Sequence, residues 1–172
     1  MLSQDLKHDE SQPLDYIEIA KVLHGRVSGM KLGLVDLEKP HRYEVKKFLP
    51  SHRNCCAILL SATIQGKIQR HWGVMIRNTK GIFFFESLGL GRKLKHLLDD
   101  HKFYDFLVQN KIKINSHRLQ KDSTKIATCG LYVCVRVAKH EMTNNEFAKW
   151  LHSSPIDTDT TVTMLTIMGR KT

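Results

Sequence analysis

The chain has 172 residues, the length of one compact domain with room for a real core. Apolar residues make up 41% and charged residues 26%, a globular mix that excludes a collagenous, wholly disordered or membrane-embedded chain. The net charge is +10, and because residues 1–20 hold one Lys against five Asp or Glu, residues 21–172 carry +14. Such a surplus attracts polyanions, nucleic acid first among them, unless it serves solubility alone.

Residues 1–12 are polar and acidic, lack the apolar stretch of a secretory signal, and read as a flexible lead-in to a single domain over 13–172. Pro13 opens a helical pattern of Leu14, Ile17, Ala20 and Leu23, closed by Gly25. Residues 25–53 are irregular and basic, with Lys39, Arg42, Lys46, Lys47 and Arg53. The apolar run Cys55–Ile64 predicts a buried strand, and the charge-free stretch around it is too short to span a bilayer. Two further strands, His71–Arg77 and Ile82–Ser87, flank the turn-like Asn78-Thr79-Lys80-Gly81. Leucines and phenylalanines from Leu94 to Leu107 have helical spacing across 92–109, and Ile112, Ile114 and Leu119 alternate like a strand. Leu131–Val137 is ambiguous: its β-branched density favours a strand, yet an apolar central helix would look the same. Thr143 and Glu146 form a capping box before Phe147, Trp150 and Leu151, and a last short helix falls within 159–168. Strands in the middle with helices at both ends predict an α+β domain.

Four cysteines, at 55, 56, 129 and 134, are too unevenly placed for a disulfide scaffold, and no paired spacing suits structural zinc. With residues 78–81 as the turn, Arg77 pairs with Ile82 and Gly73 with Glu86. His71 and Glu86 are then diagonal neighbours on one face. One residue more in the turn would set them on opposite faces. The plainer alternative is a surface glutamate ending a strand near a surface histidine. Cys129 follows the loop 120–128, with Thr128 placed as an N-cap, a setting that can activate a thiol. Cys55, Cys56 and Cys134 read as inert buried side chains.

His71-Trp72, then Phe85-Glu86-Ser87-Leu88-Gly89, then Cys129-Gly130-Leu131-Tyr132-Val133-Cys134 together resemble the adenovirus endopeptidase (adenain) family. Its relatives occur in virophages and Polinton-type elements, within the clan that includes the SUMO proteases. The order His, acid, Cys, with Trp after His, is characteristic of that clan, and the likeness covers roughly residues 14–168. The resemblance implies a papain-like, adenain-type α+β fold: a central mixed sheet flanked by helices, with the nucleophile opening a buried central helix. That decides the ambiguous segment as helix. It implies Cys129 as nucleophile, His71 as base and then acid, Glu86 as orienter, and a Gln with the Cys N–H as oxyanion hole.

Here the sequence departs from the pattern. The family Gln stands about six or seven residues before the Cys, where Asp122 and Ser123 lie; Gln120 stands nine before. Gln120 is the better donor, because an ionised Asp has no proton to give and Ser is short. No cysteine lies between Cys56 and Cys129, so activation by a disulfide-linked peptide is not expected.

By resemblance, the chain is a cysteine endopeptidase that cleaves viral capsid or core precursors, at Gly-containing sites, during virion maturation. It would act as a monomer in the virion and in host cytoplasm or nucleus, without metal, coenzyme or membrane. Double-stranded DNA would be a non-specific partner and a candidate activator, through Lys46, Lys47, Arg53, Lys113 and Arg118. A deconjugating protease for a ubiquitin-like modifier and a clan-related acetyltransferase are the rival readings.

Overall fold

The computed structural model describes residues 14–24, 32–37, 42–121 and 127–170. A five-stranded mixed sheet runs in the order β1-β2-β3-β4-β5, with β1 at Leu32–Asp36, β2 at Cys55–Ile64, β3 at Lys67–Asn78, β4 at Gly81–Glu86 and β5 at Lys113–Ile114. The three central strands are antiparallel, and the two edge strands are added in parallel. The helices are α1 at Tyr16–His24, α2 at Val45–Phe48, α3 at Leu94–Leu97, α4 at His101–Gln109, α5 at Cys129–Ala138, α6 at Asn144–His152 and α7 at Thr158–Arg170. The fold is α+β.

Alternation along the strands divides the core between the two faces of the sheet. Ala57, Val74 and Phe85 form one cross-strand row and face α5, which is buried along nearly its whole length. Cys56, Met75 and Phe84 form the next row, on the opposite face, against Phe103, Phe106 and Leu107 of α4. Leu131–Val137 is thus helix, because α5 lies between the sheet and the helices α1 and α7 and must be apolar on every side. Its one charged residue, Arg136, is fully buried. The guanidinium stacks near Phe147 at 5.3 Å and donates to the carbonyls of Lys139 and Met142 at 2.9 and 2.7 Å.

Several expectations are corrected. The basic stretch before residue 53 contains β1 and the helical turn α2 rather than irregular chain alone. The helical pattern of 92–109 is broken at Leu98, after which Asp100 caps α4 by accepting the N–H of Lys102. The strand expected from Ile112 stops at Ile114, because Asn115 turns the chain and spends its side chain on the carbonyls of Glu86 and His117. The last helix is longer than expected, Thr158–Arg170. The capping box at Thr143 and Glu146 is present. The lead-in over 1–12 and the closing Gly25 lie outside the described residues.

Candidate active site

The turn at 78–81 gives the register Arg77 to Ile82 and Gly73 to Glu86, so His71 and Glu86 meet diagonally where β3 and β4 leave the core. His71 Nε2 lies 3.4 Å from Glu86 Oε2. Nε2 makes no well-aligned hydrogen bond, so the contact is chiefly electrostatic. Glu86 is wholly buried, and the chain folds back over it: the N–H of Leu88 donates to Oε2 at 2.9 Å and that of Leu90 to Oε1 at 2.5 Å. This turn needs Gly89, whose φ is +62° and whose absent Cβ would meet the backbone of His117 and Arg118 at 2.4 Å. Asn115 binds the Glu86 carbonyl at 2.7 Å and closes the support.

Cys129 is the first residue of α5 and only 8% exposed. Burial pushes its thiol pKa up, but the hydrogen bond and charge of His71, with the N–H groups of Trp72 and Gly130, outweigh it and leave the value lowered. Burial likewise opposes a charge on His71, and its interactions with Cys129 and the Glu86 carboxylate still raise its pKa to about 9. With Nε2 towards Glu86, Nδ1 is the nitrogen left for the sulfur. The opposed shifts describe one coupled pair that favours thiolate and imidazolium. Burial dominates at Cys55 and Cys56, whose thiols are pushed up to about 12.

Thr128 stands at the N-cap position of α5, but its hydroxyl does not cap the helix. It binds the buried carboxylate of Asp159 at 2.5 Å instead, and the Gly130 N–H in the first turn of α5 bonds the sulfur. Gln120 is buried, its side-chain oxygen accepts the Ser87 hydroxyl at 2.6 Å, and its N–H bonds the Ser87 carbonyl at 2.9 Å. It is therefore fixed beside the residue that follows Glu86. The neighbouring Leu119 carbonyl accepts the hydroxyl of Tyr132 on α5 at 2.8 Å, tying this segment to the helix that Cys129 opens as well. Asp122 and Ser123 lie outside the described residues.

A cleft of about 540 Å³ opens beside Cys129. Its floor is a row across three paired strands, Asp36, Leu59 and Trp72, extended by Leu14, Asp15, Leu34 and Arg70. Sequence reasoning gave no site role to Asp159, Asn115, Ser87 or the β1 residues. Only the tertiary fold brings them here.

The basic residues do not form one patch. Lys46 and Lys47 are exposed on α2, towards the β1 edge, and Lys46 pairs with Glu44 at 3.0 Å. Lys113 and Arg118 are exposed at the β5 edge, with Lys113 Nζ over the Phe83 ring at 5.1 Å. Arg53 is half-buried, and its guanidinium lies against Gly33. Among the described residues no group of three or more His, Cys, Asp or Glu is placed to hold a metal, and no helix is long and apolar enough to cross a membrane. No protein-family model matches the sequence, and no curated protein matches it either.

Proposed function

We propose that this chain is a cysteine endopeptidase, adenain-like in fold and site, that cleaves capsid or core precursors of a DNA virus or related element. The observation that carries the reading is geometric: a buried cysteine that opens a helix, bonded to His71, whose ring lies 3.4 Å from a buried glutamate. That combination suits acyl transfer. The Cys129 thiolate adds to the scissile carbonyl, and imidazolium His71 gives its proton to the leaving amine. His71 then takes a proton from the water that hydrolyses the thioester. Glu86 holds the ring and stabilises its charge. The N–H of Cys129 and the Gln120 amide are the proposed donors to the oxyanion.

The cleft supports an extended peptide as substrate, since its strand-row floor and apolar walls suit a chain laid across the sheet. The charge surplus supports packaged DNA as a non-specific partner. The test is to incubate wild type and Cys129→Ala with a viral capsid precursor, a ubiquitin-like modifier conjugate and acetyl-CoA. Cleavage of the precursor alone, lost in Cys129→Ala, is the expected result. Processing of the conjugate alone would make it a deconjugating protease, acetyl transfer an acetyltransferase, and full activity of Cys129→Ala would end all three readings.

A further inference from the structure

One buried carboxylate has no part in the triad. Asp159, in the first turn of α7, is fully buried, and its two oxygens reach opposite ends of the segment ahead of the nucleophile. Oδ2 accepts the backbone N–H of Lys121, next to Gln120, at 3.0 Å, and Oδ1 accepts the hydroxyl of Thr128, next to Cys129, at 2.5 Å. A carboxylate taken out of water is costly unless its hydrogen bonds are made, so these two bonds are strongly held. The neighbouring Thr158 hydroxyl donates to the Leu119 carbonyl at 2.5 Å. The start of α7 therefore grips the chain on both sides of Gln120 and just before Cys129.

We propose that Asp159 is a positioning residue for acyl transfer, setting the spacing between the Cys129 sulfur and the Gln120 amide by bonding the residue beside each. The inference rests on the cysteine-peptidase reading and adds a residue to it. It makes a specific chemical distinction. Alkylation by iodoacetamide displaces iodide from a saturated carbon, builds no oxyanion, and needs only the thiolate. Attack on an activated ester places negative charge on the carbonyl oxygen before p-nitrophenolate leaves and the thioester forms, so it needs the donor in place. Loss of the Asp159 bonds should slow the second reaction far more than the first, because two of the thiolate's partners, His71 and Trp72, come from β3 and only the Gly130 N–H comes from α5.

The experiment uses full-length wild type, Asp159→Leu, Asp159→Asn and Thr128→Val. It reads the p-nitrophenolate burst from N-acetylglycine p-nitrophenyl ester beside the iodoacetamide rate at Cys129. Asp159→Leu should slow the burst on the order of thirtyfold, as expected for a misplaced oxyanion donor, with alkylation within about twofold. Asp159→Asn should stay within about threefold of wild type, since its carboxamide oxygen can accept from Lys121 while its NH₂ donates to the Thr128 hydroxyl. A purely structural role predicts that both rates fall together with the folded fraction. That result, an unchanged burst in Asp159→Leu, or a burst in Asp159→Asn as slow as in Asp159→Leu, would overturn the proposal. If Asp159→Leu does not fold, Thr128→Val removes one of the two bonds and carries the same test: a slower burst with unchanged alkylation supports the proposal, and equal rates overturn it. A wild-type protein that alkylates at Cys129 but shows no burst would refute the acyl-transfer reading itself, and the proposal with it. A wild-type burst untouched by the variants refutes the proposal alone.

Discussion

The indole N–H of Trp72 donates to the carbonyl of Leu14 across 2.9 Å, tying the start of α1 to the strand residue beside His71. Both residues also wall the cleft. Trp72→Phe keeps the ring but orphans a buried carbonyl, at a cost of about 1–3 kcal/mol. The urea midpoint should fall with an unchanged slope, and KM should rise more than kcat falls. A variant as stable as wild type would show that the bond contributes nothing.

Iodoacetamide at neutral pH should label Cys129 and spare Cys55 and Cys56. The first thiol is lowered by its partners, whereas burial holds the other two near about 12. Peptide mapping by mass spectrometry reads this directly. Cys129→Ala should remain folded and take up no label, and equal labelling of Cys55 would contradict the site.

The coupled pair sets a pH window. Thiolate is present once the pH exceeds the lowered thiol value, and imidazolium is lost as the pH rises through about 9. The rate of the proposed peptidase should therefore rise on the acid side as the thiolate forms and fall on the alkaline side near 9. Glu86→Gln removes one of the contacts that raise His71, so the alkaline limb should move to lower pH. The rate should drop on the order of ten- to a thousandfold, less than on loss of Cys129. An alkaline limb that stays in place would separate Glu86 from His71.

Gly89→Ala tests the turn that wraps Glu86. A Cβ there would sit 2.4 Å from backbone atoms of His117 and Arg118, at a φ of +62°. Backbone cannot yield as a flexible side chain does, so a loss of about 2–4 kcal/mol and a displaced Glu86 are expected. Thermal melting and the rate should fall together. A silent Gly89→Ala would mean that the 117–118 segment moves aside freely.

Binding to duplex DNA should be sequence-independent and steep in salt. Lys46 and Lys47 lie towards one edge of the sheet and Lys113 and Arg118 at the other, so each pair changed to Ala should reduce the log–log salt slope by up to about 2. Arg53→Ala should leave the slope alone and lower stability instead, because its side chain packs against Gly33. No binding at low salt would assign the charge to solubility or to an acidic protein partner.

The parts of the site legible in the sequence are those governed by local rules. Strand period and turn length together place His71 diagonal to Glu86, and the capping box at Thr143 needs only two residues three apart. β1 escaped because it is short, contains Gly33, and takes its form from pairing with the distant β2. α5 could not be told from a strand by pattern, since a helix buried on every side loses its polar face. Thr128 read correctly as the residue before the helix, yet its hydroxyl belongs to Asp159, a partner that only the packing of α7 supplies. Side-chain chemistry alone favours Gln120 in the sequence, whereas its bond to Ser87 depends on the chain after β5 returning to the end of β4.

The proposed base and its acid share one hairpin, joined by a short local turn, whereas the proposed nucleophile arrives on a separate helix after the whole α3–α4–β5 excursion. Contacts close in sequence form sooner than those that must close a long loop. A partly folded chain can thus hold the histidine–carboxylate pair without a competent thiolate. The proposed peptidase activity would be a property of the finished tertiary structure. The return of fast Cys129 alkylation during refolding would then mark the last docking event, after the hairpin's own signals have settled.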